Sequence, residues 1–328
     1  MTTLITGATG FVGSALAHKL LARGETVRVL VRPTADRRNL EPLRVEIVTG
    51  DLSDPVSLAA AIKGCDTLFH VAADYRLWVP DPAPMFQANV EGTRALMQAA
   101  AEAGLRRIVY TSSVATLLPR PDSSPAHEEH AGSAADMIGA YKQSKHAAEV
   151  IVRAMIAEGL PVIIVHPSTP IGPRDIKPTP TGKMVVDAAN GRMPAYVDTG
   201  LNVVHVDDVA EGHILALERG RVGRNYILGS ENLSLASILA MVAEQTHRPP
   251  PRLKLPHGLV MPIAGLAELW ARTTGSEPFA TREAVKLARK TMFFTSERAI
   301  QELGYRPRPA REAIADAITW FREHGYVR

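Results

Sequence analysis

The sequence predicts an α/β fold: a doubly wound parallel sheet with a smaller, mainly helical C-terminal lobe. Three observations predict it. Short β-branched runs alternate with helical patterns through the first half of the chain, as βαβ units do. Two of those runs, VRVLV at 27–31 and VIIVH at 162–166, are almost unbroken apolar stretches, as strands buried on both faces are. A glycine-rich stretch, Gly7 to Gly13, follows the first run and opens the first helical pattern.

In chain order, strands are expected near Thr3–Thr6, Val27–Val31, Val45–Val48, Thr67–Val71, Ile108–Thr111 and Val162–His166. Helices are expected at about Val12–Ala22, Pro55–Ala61, Met85–Ala103 and Ala140–Glu158. Right-handed crossovers between parallel strands then wind the sheet on both faces. After Pro167 the texture changes, with five prolines in the sixteen residues 167–182, which marks an irregular loop. Residues 202–220 read as a strand and a helix capped near Asp207, and Asn225–Gly229 as another strand. From Ser234 the pattern is mainly helical, interrupted by the proline-rich 248–256 and closed by an amphipathic segment at 309–325. A chain of 328 residues is long for one core. Residues 1–167, with about 203–230, are therefore expected to form the sheet domain, and 168–202 with 231–328 a second lobe. No internal repeat is visible.

Composition narrows the class. Hydrophobic residues make up 46% and charged residues 22%, which excludes disordered and fibrous chains. The formal charge is +3 and the Lys and Arg are scattered, which argues against nucleic acid and leaves small anions as partners. Cys65 is the one cysteine, so no internal disulfide can form and no cysteine metal site is expected. The N-terminal residues run directly into a strand instead of a basic flank and apolar core, and no apolar stretch reaches about 18 residues. The sequence therefore reads as cytoplasmic, with no bilayer span.

Gly7-Ala8-Thr9-Gly10-Phe11-Val12-Gly13 lies between strand and helix, where glycines allow a tight turn and a pyrophosphate can sit on the helix N-terminus. A dinucleotide is the implied cofactor. Where an NAD enzyme usually places an acid, the second strand ends in Val31-Arg32, with Arg37 and Arg38 close behind. A guanidinium there can grip a 2′-phosphate that a carboxylate would repel. This favours NADP, with NAD as the alternative; a strand-end arginine that merely snorkels is the plain explanation. Asp51 and Leu52 follow the third strand, placed to meet the adenine, though Asp51 could instead cap the helix at Pro55.

Tyr141 and Lys145 are four apart, on one face of a helix. A nearby ammonium favours the phenolate and makes tyrosine a usable proton carrier. The fifth strand ends in Tyr110-Thr111-Ser112-Ser113, at the sheet edge where doubly wound folds bind ligands, and the Ser113 hydroxyl can hold a substrate oxygen.

The motifs TGATGFVG, GDL, HVAA, NVEGT, YTSS, YKQSK and HPSTPIGP, in that order, resemble the extended short-chain dehydrogenase/reductases, the epimerase/dehydratase group. Within that group HVAADYRLW, MIGAYKQSK and the 193–212 segment are similar to the hopanoid-associated sugar epimerases of bacteria. More distantly they resemble plant dihydroflavonol reductases and bacterial 3β-hydroxysteroid dehydrogenases. The resemblance implies an NAD(P)-binding Rossmann domain and a catalytic triad of Ser113, Tyr141 and Lys145. It further implies cofactor contacts from the glycine loop, Arg32, Asp51, Leu52, Ala72, Ala73 and the segment from Pro167 and Ser168, with Asn89 steadying the neighbouring strand ends. It also implies a homodimer through the helices near 85–103 and 140–158, whose extra apolar positions include Val90, Leu96, Met97, Ile151 and Met155.

Three functions stay open on these grounds. Carbonyl reduction on a lipid-like or other small substrate is favoured by Arg32 and by apolar side chains at Tyr75, Leu77, Trp78, Met193 and Tyr196, for which core packing is the competing explanation. Sugar epimerisation with retained NAD is the second, its substrate phosphates met by Arg174, Lys177, Lys183 and Arg192. A non-catalytic NADP sensor is the third. The apolar segment 259–275 is expected to be buried or to line the pocket; a membrane-surface contact is the alternative, disfavoured by a thin polar face that is not basic and by Pro262. His205, Asp207 and Asp208 could suggest a metal, but helix capping by Asp207 explains them and no third ligand is correctly spaced.

Overall fold

The computed structural model describes residues 1–76, 78–274 and 281–328. The chain runs β1 (Thr2–Thr6), α1 (Phe11–Ala22), β2 (Thr26–Val31), β3 (Glu46–Thr49), α2 (Pro55–Ile62) and β4 (Thr67–His70). Then come α3 (Ala83–Phe86) and α4 (Gly92–Glu102), β5 (Arg107–Thr111), α5 (Ala140–Ala157), β6 (Val162–Pro167), β7 (Thr169–Ile171) and α6 (Pro180–Ala189). The remainder is β8 (Ala195–Val197), β9 (Gly200–His205), α7 (Val206–Arg219), β10 (Asn225–Leu228), β11 (Glu231–Ser234), α8 (Leu235–Thr246), β12 (Leu253–Leu255) and α9 (His257–Thr274). It closes with α10 (Arg282–Ala288), α11 (Glu297–Leu303) and α12 (Ala310–Glu323).

Seven parallel strands form the main sheet in the order β3-β2-β1-β4-β5-β6-β10. The order reverses direction between β1 and β4, and that switch places the exits of both strands side by side, where this class of sheet binds ligands. Register brings Thr6 beside His70, and His70 beside Tyr110. One face is covered by α1 and α7 over Leu16, Val29, Phe69 and Val165; the other by α2, α4 and α5 over Leu4, Leu68, Ile108 and Ile164. A third cluster joins α6, α8 and α12 around Val185, Ile238, Ile314 and Phe321. The doubly wound parallel sheet expected from the sequence is present.

Several local expectations are corrected. The helix expected over Met85–Ala103 is present from Ala83 to Glu102, but it is not regular: α3 passes into α4 through a π turn, Gln87–Glu91, built around the buried Asn89. Helix α7 is capped by His205, whose Nδ1 accepts from the Asp207 N–H at 3.0 Å; Asp207 and Asp208 lie inside the first turn and pair with Arg174 and Arg308. The helix at Pro55 is capped by Asp54, accepting from the Val56 N–H at 3.1 Å. Val90, Leu96 and Met97, expected to be spare apolar positions, are buried in the chain's own core. The apolar segment from 259 forms α9, yet it is not buried: Ala264 and Ala267 face the protein while Leu259, Ile263 and Leu266 are exposed.

One carboxylate is buried where α5 crosses the sheet. Glu149 accepts from Ser112 Oγ at 2.5 Å, Thr116 Oγ1 at 3.0 Å and Arg153 at 2.7 and 2.9 Å. Burial pushes its carboxyl up, but His166, Arg153 and the Ser112 hydrogen bond outweigh burial and hold it at about 2. A carboxyl depressed on folding stabilises above its ordinary value near 4.5 and loses that contribution as the pH falls towards 2. At about 1.4 kcal/mol per pH unit, the contribution is on the order of 3 kcal/mol. Urea unfolding of wild type should therefore lose about 3 kcal/mol more than that of Glu149→Gln between about pH 5 and pH 2. Parallel pH dependence in the two proteins would remove Glu149 from this role.

Candidate active site

The glycine loop turns between β1 and α1 under a tight steric limit. Gly7 has φ of 78°, and a Cβ on it would stand 2.7 Å from the backbone nitrogen of Ala72. A Cβ on Gly13 would stand 2.2 Å from the carbonyl oxygen of Gly7. Loop, first helical turn and the exit of β4 at Ala72-Ala73 therefore meet backbone to backbone, where only glycine and small residues fit. Gly10 precedes α1, and no side chain caps that helix. The first-turn N–H groups of Phe11, Val12 and Gly13 are thus left for an anion, which fits a dinucleotide diphosphate. Thr9 is fixed from outside, its carbonyl accepting from Asn39 Nδ2 at 3.3 Å; the same amide reaches the Arg174 carbonyl at 3.0 Å.

Next along the edge, Arg32 stands exposed just beyond β2, and its charge helps hold down the carboxyls of Asp51 and Asp74. Asp51 is lowered mainly by the Ser53 N–H, which donates to it at 2.9 Å. Leu52 packs on Gly92 at the start of α4. Arg37 is also exposed, its carbonyl closing a turn onto Leu40 at 2.7 Å. Together these place an exposed guanidinium where the loops after β2, β3 and β4 converge. At the far side Pro167 ends β6, and Ser168 follows with its N–H donating to Leu228 at 3.1 Å. The Ser168 hydroxyl is buried without a hydrogen-bond partner among the described residues.

Ser113 follows β5, where its hydroxyl accepts from the Ala115 N–H at 3.1 Å. Its carbonyl takes Thr116 Oγ1 at 2.9 Å and His166 Nδ1 at 3.1 Å, so the residue is fixed from both sides. Tyr141, in the first turn of α5, has the Ser113 hydroxyl as its polar neighbour; burial pushes its phenol up and Ser113 opposes the rise. Lys145 lies one turn on and is buried. Its ammonium donates to the Thr111 carbonyl at 2.7 Å and reaches Tyr110 Oη at 3.4 Å, 4.9 Å from that ring's centre. Burial brings Lys145 down to about 8, and the Glu149 carboxylate opposes the fall. The ammonium expected to lower Tyr141 is thus directed at the strand end, and the tyrosine remains raised.

A buried polar chain supports this edge. His70 lies between Thr6 Oγ1 at 2.8 Å and Thr93 Oγ1 at 2.9 Å, and burial holds its imidazole at about 3. Asn89 accepts from the Asp74 N–H at 2.7 Å and donates to the Asp74 carbonyl at 2.8 Å and to Ser144 Oγ at 3.0 Å. It ties the exit of β4 to the residue before Lys145. Sequence reasoning identified Asn89 but missed Glu149, whose signal was an acid beside Ala148 and Val152 on the sheet-facing side of α5.

Of the residues expected to meet substrate, Tyr75 lies half-exposed beside Asp74 and Asp175, whose charges raise its phenol after burial does. Asp175 is itself pushed up to about 6 by burial. Trp78 is half-buried nearby in sequence, and Leu77 lies outside the described residues. Tyr196 is on β8, beside β12. Arg174 is not free for a substrate phosphate, since it pairs with Asp207. Lys183 pairs with Asp187 at 2.6 Å on the exposed side of α6.

Residues 3–229 match the model of the NAD dependent epimerase/dehydratase family. A Synechocystis protein provisionally described as a dihydroflavonol 4-reductase is 43% identical over 99% of this chain and 95% of its own. The sterol demethylase protein B of Methylococcus capsulatus is 37% identical over the full length of both. The crystal structure of gox2253 superimposes with a TM-score of 0.90 at 58% identity, covering 100% of this chain and 99% of that one. The chain belongs to the NAD dependent epimerase/dehydratase family, the extended short-chain dehydrogenase/reductases, and is an NAD(P)-dependent enzyme.

Proposed function

We propose that the protein reduces a ketone on a lipophilic substrate to a secondary alcohol with NADPH. The observation that carries this reading is the pairing of Ser113 with Tyr141 at the exit of β5, one helical turn from a buried lysine. When bound, the nicotinamide supplies the hydride. Ser113 holds the substrate oxygen, and Tyr141 delivers the proton that oxygen needs as charge builds on it. Burial keeps the phenol protonated, which suits a proton donor. Lys145 holds positive charge behind the pair below about pH 8, Glu149 opposing the fall that burial causes.

Arg32 supports NADPH over NADH, because it is exposed at the strand end with no carboxylate of its own strand competing for it. The second lobe, 168–202 with 231–328, would hold the substrate, with Tyr75, Trp78 and Tyr196 offering apolar surface to it. A steroid-like or polyisoprenoid ketone fits that surface, and one full-length relative is named for sterol demethylation. The groove between α4 and α5, about 300 Å³ and lined by Arg94, Gln98, Val150, Ile151, Ala154 and Met155, is the face for a twofold pair of chains.

Purified protein should oxidise NADPH with hydrophobic ketones; tightly held NAD that survives gel filtration would overturn the reading in favour of epimerisation. Tyr141→Phe should lower kcat by about 10²–10⁴ while leaving NADPH affinity nearly intact, and unchanged turnover would remove the tyrosine from proton transfer. Reduction should fall as the pH rises through about 8, where Lys145 loses its charge. Arg32→Ala should weaken NADPH by about tenfold or more, and NADH little; equal loss would show that Arg32 does not read the phosphate. Val150→Arg, an exposed change on α5, should convert a dimer to single chains on a sizing column.

A further inference from the structure

We infer that α9 and α10 dock the enzyme onto an anionic lipid bilayer surface, an inference that rests on the lipophilic ketone proposed as substrate. Leu259, Ile263, Leu266 and Trp270 recur every three or four residues along α9, and they are 63%, 46%, 69% and 69% exposed. That spacing sets four large apolar side chains in one outward stripe, and Leu253 adds another 58% exposed just before the helix. The helix is anchored from the opposite side by Ala264, Ala267 and Glu268, the last paired with Arg282 at 2.9 Å. A stripe of this size facing water marks an interaction surface.

The charge around it says what covers it. Residues 247–290 contain eight Lys and Arg against three Asp and Glu, in a chain whose totals are 37 and 34. The remainder of the chain is therefore net negative, and the positive charge of the protein is concentrated in this segment. Arg252, Lys286, Arg289 and Lys290 are exposed there. Apolar side chains flanked by cations suit insertion into the headgroup boundary of an anionic leaflet. No helix of the described residues is long and apolar enough to cross a membrane, so the contact is with the surface.

The surface lies next to the chemistry. Thr281, Glu283 and Leu287 of the α10 region line one small cleft with Ile138, Tyr141 and Lys142. Glu283 covers Gly139, where a Cβ would stand 2.5 Å from its carboxylate. One short helix thus separates a docked bilayer from the start of α5, and a lipid ketone would leave the leaflet beside Tyr141.

The full chain should sediment with vesicles of phosphatidylcholine containing about 30% phosphatidylglycerol, and little with phosphatidylcholine alone. Capture should weaken at about 0.5 M salt. Leu259→Ser, Ile263→Ser and Leu266→Ser together should abolish it, and Lys286→Gln and Arg289→Gln should each weaken it about fivefold. The proposal is overturned by no capture of wild type, by equal capture on neutral vesicles, or by a serine variant that binds as wild type does. It is overturned too if the serine variant elutes as a smaller species than wild type, which would make the stripe an interface between copies. Turnover of a small water-soluble ketone with NADPH, followed in every preparation, keeps the two readings apart. Its absence in wild type sinks the reductase, whereas normal turnover without capture sinks the docking alone.

Discussion

The approach of three backbones at Gly7 sets the limits for everything at the carboxyl edge of the sheet. The loop, the first turn of α1 and the exit of β4 touch without side chains between them, so the helix N-terminus and the β4 exit cannot move independently. From that junction the His70 chain runs through Thr93 to Asn89, and Asn89 reaches the residue before Lys145. The proposed diphosphate site at one end and the proposed proton donor at the other are therefore linked by a single connected piece of buried backbone and polar side chains. Such preorganisation is what lets hydrogen-bond donors act on developing charge without first rearranging.

Helix α5 is organised along its length. Tyr141, Lys145, Glu149 and Arg153 stand four apart, one turn after another, so phenol, ammonium, carboxylate and guanidinium form a ladder along one side of the helix. The charges alternate from the second rung on, and only the last reaches solvent substantially. Glu149 also grips Ser112 and Thr116, the residues on either side of Ser113 and its turn. One helix thus carries Tyr141, the proposed proton donor, and, through the Glu149 carboxylate, holds the strand end beside Ser113.

Much of the fold was legible in the sequence, because parallel strands buried on both faces must be written in apolar residues. VRVLV and VIIVH could hardly be read otherwise, and the six strands expected up to His166, with that at Asn225–Gly229, all lie in the seven-stranded sheet. The glycine loop was legible for a related reason: at Gly7 and Gly13 a side chain would meet backbone. What escaped reading depends on three-dimensional partners. Asp54 and His205 were passed over as caps in favour of neighbouring acids, and only the backbone N–H groups they accept from, those of Val56 and Asp207, decide between them. Hydropathy could not say which way Leu259 and Leu266 face, since an apolar stripe reads alike whether it meets a core or water. The direction of the Lys145 ammonium depends on the Thr111 carbonyl, which no side-chain pattern reports.

The π turn at Gln87–Glu91 holds one residue more than a regular turn would. A chain one residue shorter at that point could close as continuous α-helix and still present Leu96 and Met97 to the sheet. Shortened instead between Gly92 and Ala95, the helix would rotate by about 100° and turn those side chains away from it. The segment is therefore the one place where the helix has a residue to spare for its length, and that residue is spent on bringing Asn89 to Asp74 and Ser144. A variant that lost it would keep its sheet and its cofactor loop while the exit of β4 came untied from α5.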